Sequence, residues 1–75
     1  MVVKLLRHTF IDDPTWFIIS ESVPIGTEYE VKQFRAKGFT LINKETNKSR
    51  KVACYYLVGN NDSSWMPAEA FQVID

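Results

Sequence analysis

The sequence predicts an all-β protein: a small antiparallel barrel of about five or six short strands, with one short helical turn before the last strand. Two observations lead to this prediction. Segments in which apolar and polar residues alternate recur along the chain, and turn-forming residues separate them at intervals of roughly 8 to 12 residues. These segments are too short for a helix of normal length. The 75 residues form one domain, 1–75, with a small core.

The first part of the chain contains one predicted strand and one segment that the pattern leaves open. Val2–Arg7 alternates imperfectly and predicts a strand with Val3 and Leu5 on one face. Asp12–Thr15 predicts a turn, because Asp accepts local backbone hydrogen bonds and the residue before Pro14 is driven out of the helical region. Trp16–Ile19 is apolar on both faces, so it is either a short strand or one arm of a long loop.

The clearest strand follows a predicted loop at Ser20–Thr27. Charged and apolar residues alternate from Glu28 to Phe34, which places Tyr29 and Val31 on the inner face of a sheet whose other face is in water. Phe34 breaks this alternation and predicts a bulge.

Turn-forming residues divide the next part of the chain into strands. Lys37-Gly38 predicts a turn before the strand Phe39–Ile42. A polar segment around Thr46–Lys48 predicts a hairpin whose second arm is Lys51–Val58. Gly59–Asp62 predicts a further turn.

The end of the chain carries the strongest fold signal. A strand that contains Trp65 should end at Pro67, which fixes φ and cannot donate a hydrogen bond to a ladder. Ala68–Ala70 then predicts one helical turn. Phe71 and Val73 follow at period two and predict a short last strand.

Two segments resemble an SH3-like barrel. Pro24–Val31 is similar to the long loop that ends in a Gly-x-x-Tyr-x-Val strand, and Trp65–Ile74 is similar to the Pro-led turn and short last strand of that fold. The chain resembles especially the small stand-alone SH3-like proteins of bacteria and phages. It lacks the Ala-Leu-Tyr-Asp-Tyr start, the tandem Trp and the Pro-x-x-Tyr close of domains that bind proline-rich peptides. The resemblance therefore implies the architecture and a binding role, but not that ligand.

Composition restricts where the protein acts. Nine basic and nine acidic side chains give a net charge of zero, so no overall field attracts nucleic acid or an anionic membrane. The amino terminus lacks the features of a signal peptide, and the single Cys54 cannot form an intramolecular disulfide. The longest apolar stretch, Val52–Gly59, is far shorter than the ~20 residues of a membrane span. We expect a cytoplasmic protein with no membrane partner.

Few residues are suited to catalysis. Cys54 lies in the middle of a predicted strand among apolar residues, where cysteine behaves as a small hydrophobic side chain. We expect the only histidine, His8, to be exposed and structural. One Cys, one His and the adjacent pair Asp12-Asp13 do not make a metal site, and the scattered glycines match no phosphate-binding loop. The prediction is a non-enzyme without cofactor or metal.

Aromatic residues favour protein binding. The chain has more large aromatic side chains than one small core can enclose, and Trp and Tyr are common anchors of contact surfaces. The predicted partner-binding patch consists of Phe10, Trp16, Tyr55, Tyr56 and Trp65. Trp65 has an alternative role as a plug of the barrel. We also expect Val52–Val58 to be an edge strand, which leaves open a homodimer or pairing with a partner strand. The resemblance to phage proteins implies a host protein as one such partner.

A basic hairpin provides the alternative, a nucleic-acid-binding SH3-like module. Its cationic side chains are Lys44, Lys48, Arg50 and Lys51. Tyr55 and Tyr56 follow directly, and cations combined with aromatic side chains are typical of nucleic-acid sites. Glu45 within the hairpin and the balanced net charge count against this alternative.

Overall fold

The structure, a computed structural model, describes residues 1–59 and 62–75. This part of the chain contains seven strands and one 3₁₀ turn. The strands are β1 (Val2–Leu5), β2 (Thr9–Phe10), β3 (Asp13–Phe17), β4 (Glu28–Asn43), β5 (Lys48–Gly59), β6 (Asp62–Pro67) and β7 (Phe71–Val73), and the 3₁₀ turn spans Ala68–Ala70. All strand pairs are antiparallel, so the predicted all-β class is confirmed. No helix in the described residues combines the length and apolar character needed to cross a bilayer.

Five of the strands form one sheet in the order β6-β5-β4-β1-β7, and β2 and β3 form a separate two-stranded sheet. The edges of the larger sheet are therefore β6 and β7, and within the described residues each pairs with one neighbour. The prediction that Val52–Val58 is an edge strand is wrong, because β5 lies between β4 and β6.

The hairpin of β4 and β5 is longer than predicted. β4 has 16 residues, and its register against β5 shifts twice, between Val31 and Gln33 and between Arg35 and Phe39. The first shift confirms the predicted irregularity before Phe34. The second shift lies where the sequence predicts a turn at Lys37-Gly38, and that prediction is wrong. The register skips residues 36–38, but β4 keeps its direction and its pairing with β5 resumes at Phe39.

The turn of this hairpin lies at residues 44–47, close to the predicted Thr46–Lys48. Asn47 has a φ of 56°, a left-handed conformation that Asn tolerates better than most residues. Of the predicted turn at Gly59–Asp62, Asn60 and Asn61 lie outside the described residues.

The core lies on one face of the five-stranded sheet. Its buried cluster consists of Val3, Leu5, Leu57, Ala70 and Phe71. The predicted inner residues of β4, Tyr29 and Val31, pack against this cluster, and Val3 and Leu5 share the face that the sequence indicated.

The chain end follows the prediction. β6 ends at Pro67, the 3₁₀ turn follows, and β7 begins at the buried Phe71. Three hydrogen bonds attach the turn to the start of the chain. The Leu6 amide donates to the carbonyl of Ala70 at 2.7 Å, Arg7 Nη1 donates to the carbonyl of Glu69, and the Glu69 carboxylate accepts from the Ile11 amide at 3.2 Å.

The small β2–β3 hairpin differs from the sequence prediction. The chain turns at Ile11-Asp12, and Asp13–Thr15 belongs to β3 and not to a turn. The Asp13 carboxylate accepts hydrogen bonds from the Thr15 amide at 3.1 Å and from its hydroxyl at 2.6 Å. Pro14 is compatible with β3 because, among residues 1–59 and 62–75, this strand pairs on one side only, with β2.

Candidate functional site

Two of the predicted binding residues, Phe10 and Trp16, are part of the interior. Phe10 has 0% of its surface exposed and Trp16 has 7%. Their rings meet edge to face, with centroids 4.9 Å apart and an interplanar angle of 71°. The expectation that they contribute to a surface patch is wrong, because the β2–β3 hairpin buries both rings against each other.

Arg50 completes this small cluster. Its guanidinium carbon lies 4.2 Å from the ring centroid of Phe10 and 5.5 Å from that of Trp16, within the range of cation–π contacts. Arg50 Nη1 also donates to Asp12 Oδ1 at 2.8 Å. This hydrogen bond holds the pKa of the Asp12 carboxyl below its usual range and raises the pKa of Arg50. The side chain thus has a structural role.

The remaining cations of the basic hairpin are only partly compensated. Lys48 Nζ lies 3.7 Å from Asp13 Oδ2. Lys44 and Lys51 are exposed and form no salt bridge with any described residue. Asp12 and Asp13 therefore neutralise two of the four predicted nucleic-acid contacts, Arg50 and Lys48. The nucleic-acid hypothesis stays a prediction that depends on Lys44 and Lys51.

Another aromatic cluster lies on the sheet face opposite the core. Tyr56 pairs with Trp65 across β5 and β6. The neighbouring Leu57 points into the core, and successive side chains of a strand alternate between faces, so Tyr56 and Trp65 point away from it. Their ring centroids are 5.3 Å apart, and Phe39 approaches Trp65 to 5.8 Å. All three side chains are half-buried.

Arg35 extends over this cluster. It belongs to β4, yet its guanidinium carbon lies 5.1 Å from the ring centroid of Trp65 on β6, so the side chain reaches across β5. Arg35 is exposed and forms no salt bridge within the described residues. We call Arg35, Phe39, Tyr56 and Trp65 the outer aromatic face.

Tyr55, the remaining predicted binding residue, is separate from that face. Its side chain packs against the core cluster, and its ring lies 5.6 Å from that of Phe34. The structure therefore brings together Tyr56 and Trp65 of the five predicted residues, and it adds Phe39 and Arg35.

Two grooves formed by described residues are open to the surface. The first, about 360 Å³, lies between β3 and the 44–47 turn, where Phe17 and Ile42 are exposed. The second, about 400 Å³, lies between the loop that contains Ile19 and Val23 and the core face of β5 and β6, where Leu57, Ser64 and Met66 line it. We call the second one the loop groove.

No known protein family, curated protein or solved structure matches this chain. The chemistry of its own residues is therefore the basis for assigning a function. Among residues 1–59 and 62–75, no three His, Cys, Asp or Glu side chains come together as metal ligands would.

Cys54 and His8 have structural positions. Cys54 is fully buried, and this burial raises the pKa of its thiol to about 11, while the nearby Arg35 lowers it by a smaller amount. The prediction that His8 is exposed is wrong, because its side chain is half-buried. Its Nε2 lies 2.5 Å from the carbonyl oxygen of Val23. The His8 carbonyl also accepts from the Ile18 amide at 2.7 Å, so this residue holds the loop in place.

We expect native Cys54 to react with iodoacetamide roughly 100-fold more slowly than an unperturbed thiol at about pH 8, because only the thiolate attacks. Since its pKa is raised, the rate should increase with pH up to about 11. The control is the same protein in concentrated guanidinium chloride, where the thiol should react like free cysteine. Rapid alkylation of the native protein at neutral pH would contradict the burial of Cys54.

Proposed function

We propose that this chain is a non-catalytic SH3-like module that binds another protein through its outer aromatic face. The observation that carries the proposal is the contact of Arg35 with Trp65, beside Tyr56, on the sheet face opposite the core. Trp, Tyr and Arg are the residue types that most often dominate the energy of protein interfaces. Here they touch one another on one surface.

The position of Trp65 supports binding over a purely structural role. A plug of the barrel would lie among Val3, Leu5 and Phe71, whereas the strand alternation places Trp65 on the other side of the sheet. Its half-buried ring is supported by Tyr56 and is available to a partner.

Two features support the SH3-like part of the proposal. A long segment that ends at Gly26 separates β1 from β4, and a single 3₁₀ turn joins β6 to β7. Both are the features on which the resemblance to small bacterial and phage SH3-like proteins depends. In this proposal the loop between β1 and β4 covers the core face, where Ile18, Ile19 and Val23 pack against the buried cluster.

Charge favours a protein over a nucleic acid as the partner. A nucleic-acid site needs several cations along a backbone, and binding energy comes from neutralising phosphates. The outer aromatic face contributes one cation, Arg35, and the cations Lys48 and Arg50 are paired with Asp13 and Asp12.

The test is affinity capture from a lysate of the source organism with the purified protein as bait. The baits are wild type, Trp65→Ala and a matched control, Phe17→Ala, which removes an exposed aromatic side chain far along the chain from this face. We expect a protein that wild type and Phe17→Ala retain, that Trp65→Ala loses by about tenfold or more, and that nuclease does not release.

A circular dichroism spectrum and a melting curve first establish that Trp65→Ala is folded. Arg35→Ala repeats the test at an exposed position, where truncation leaves folding intact. Equal capture by wild type and both variants would overturn the proposal. Capture that nuclease abolishes, with an affinity that falls steeply with salt, would favour the nucleic-acid alternative.

A further inference from the structure

The edge strand β6 is well suited to pair with another strand. It has six residues, and its ladder with β5 runs without a register shift from the pair Cys54 and Pro67 to the pair Gly59 and Asp62. Proteins usually protect an exposed edge with bulges, lysines or central prolines. Residues 63–66 contain no charge, and the only proline of β6 is at its end.

Each face of β6 borders a surface that could receive side chains. On one face, Trp65 belongs to the outer aromatic face. On the other face, Ser64 and Met66 line the loop groove together with Ile19 and Val23. Ser64 is exposed, so the loop groove reaches the surface at the edge of the sheet.

Charge indicates what an added strand should carry on the Trp65 side. The guanidinium of Arg35 lies over the Trp65 ring and has no carboxylate partner among the described residues. An acidic side chain next to β6 would pair with it at short range, and Arg suits such pairs because its planar fork matches a carboxylate.

We propose that β6 binds an extended segment of a partner protein as an additional strand. This inference rests on the proposed function and names the kind of partner. The segment has about six residues, or about 20 Å at the rise of a β-strand. Its apolar side chains enter the loop groove, and the alternate ones, including an acidic residue, lie against Trp65 and Arg35.

In this arrangement, as in other strand-addition complexes, main-chain and side-chain contacts contribute differently to binding. Main-chain hydrogen bonds to β6 give affinity, and the surfaces on its two faces select the alternating side chains. A second copy of this chain fits less well. Its own β6 has Ser63, Trp65 and Pro67 on the face of Trp65 and Arg35, and none of these supplies the acidic side chain needed there.

The test is a selection from a displayed library of random peptides longer than β6, with immobilised wild-type protein. We expect the enriched peptides to alternate apolar residues with polar residues that include an acid. For a synthetic selected peptide, Ser64→Lys should weaken binding by about tenfold or more, because a lysine blocks the groove at the edge. The matched control is Ser49→Lys, an exposed serine of β5 distant from β6, which should bind as wild type does.

Backbone N-methylation of the peptide tests strand pairing directly. Two peptides are made, one methylated at the odd-numbered amides and one at the even-numbered amides. One of them should no longer bind and the other should bind unchanged, because only alternate amides of an added strand point at β6. Tolerance of both methylated forms, no effect of Ser64→Lys, a library without enriched peptides, or a wild-type dimer that Ser64→Lys dissociates would each overturn the inference.

The two proposals fail differently. If Trp65→Ala loses the captured protein while both methylated peptides still bind, strand addition is wrong and the protein-binding face stands. If Trp65→Ala retains the captured protein, the proposed function itself is wrong.

Discussion

Replacing Phe10 with alanine is expected to lower the free energy of unfolding by about 3 to 5 kcal/mol. The ring is fully buried, meets Trp16 edge to face and supports the guanidinium of Arg50. Its loss would leave a cavity and remove the aromatic surface on which the cation lies. For a domain of this size, whose total stability is about 5 to 10 kcal/mol, such a loss removes about half of the stability.

Denaturation with urea, followed by circular dichroism, measures this effect. Phe17→Ala serves as the control, since Phe17 is 51% exposed and its truncation should cost less than about 1 kcal/mol. Similar midpoints for the two variants would show that the β2–β3 hairpin does not bury Phe10 in solution.

Gly59→Ala is expected to destabilise the protein by about 1 to 3 kcal/mol through overpacking. A Cβ at this position would lie 2.7 Å from two ring carbons of Tyr29. The ring cannot move away freely, because it packs edge to face on Phe71 with centroids 5.9 Å apart. The end of β5 therefore requires a residue without a side chain.

A double-mutant cycle separates this clash from a general effect of alanine in a strand. In a Tyr29→Ala background, where the ring is absent, Gly59→Ala should cost at least about 1 kcal/mol less than in wild type. Additive effects of the two substitutions on the free energy of unfolding would mean that Tyr29 does not cover Gly59.

The predictable parts of this fold depend on neighbours in sequence. The alternation around Tyr29 and Val31 predicted an inner face that the structure contains. Pro67 predicted the end of a strand, and Ala68–Ala70 predicted a single turn, because these signals act over a few residues. Asn47 also acts locally: it tolerates the left-handed conformation that its position in the hairpin turn requires.

Other features depend on contacts that no local pattern encodes. The sequence makes Arg50 a candidate nucleic-acid contact in the basic hairpin, but its guanidinium stacks on Phe10 and Trp16 from another part of the chain. The turn predicted at Lys37-Gly38 is absent because β4 pairs with β5 on both sides of that segment, up to Arg35 and again from Phe39, and this long-range pairing outweighs local turn propensity.

The candidate site also combines residues that the local sequence predicts with residues that only long-range pairing brings in. Tyr56 and Trp65 were predicted from residue type, since Trp and Tyr are common interface anchors. Arg35 and Phe39 would share the core face with Val31 in a regular strand, and the first register shift of β4, between Val31 and Gln33, moves them to the face of Trp65. Only the register against β5 places them there, so the sequence pattern could not include them.

The place of β1 between β4 and β7 determines when the core can form. Val3 pairs with Tyr29 on one side and with Val73 on the other, so the cluster around Val3, Leu5 and Phe71 joins opposite ends of the sequence. The β4–β5–β6 hairpins close over short separations and can form while the chain is still being synthesised. The core cluster has to wait until Phe71 has left the ribosome, and folding rates fall as contacts become more distant in sequence. Completion of the fold therefore requires β1, β4 and β7 to be available at the same time.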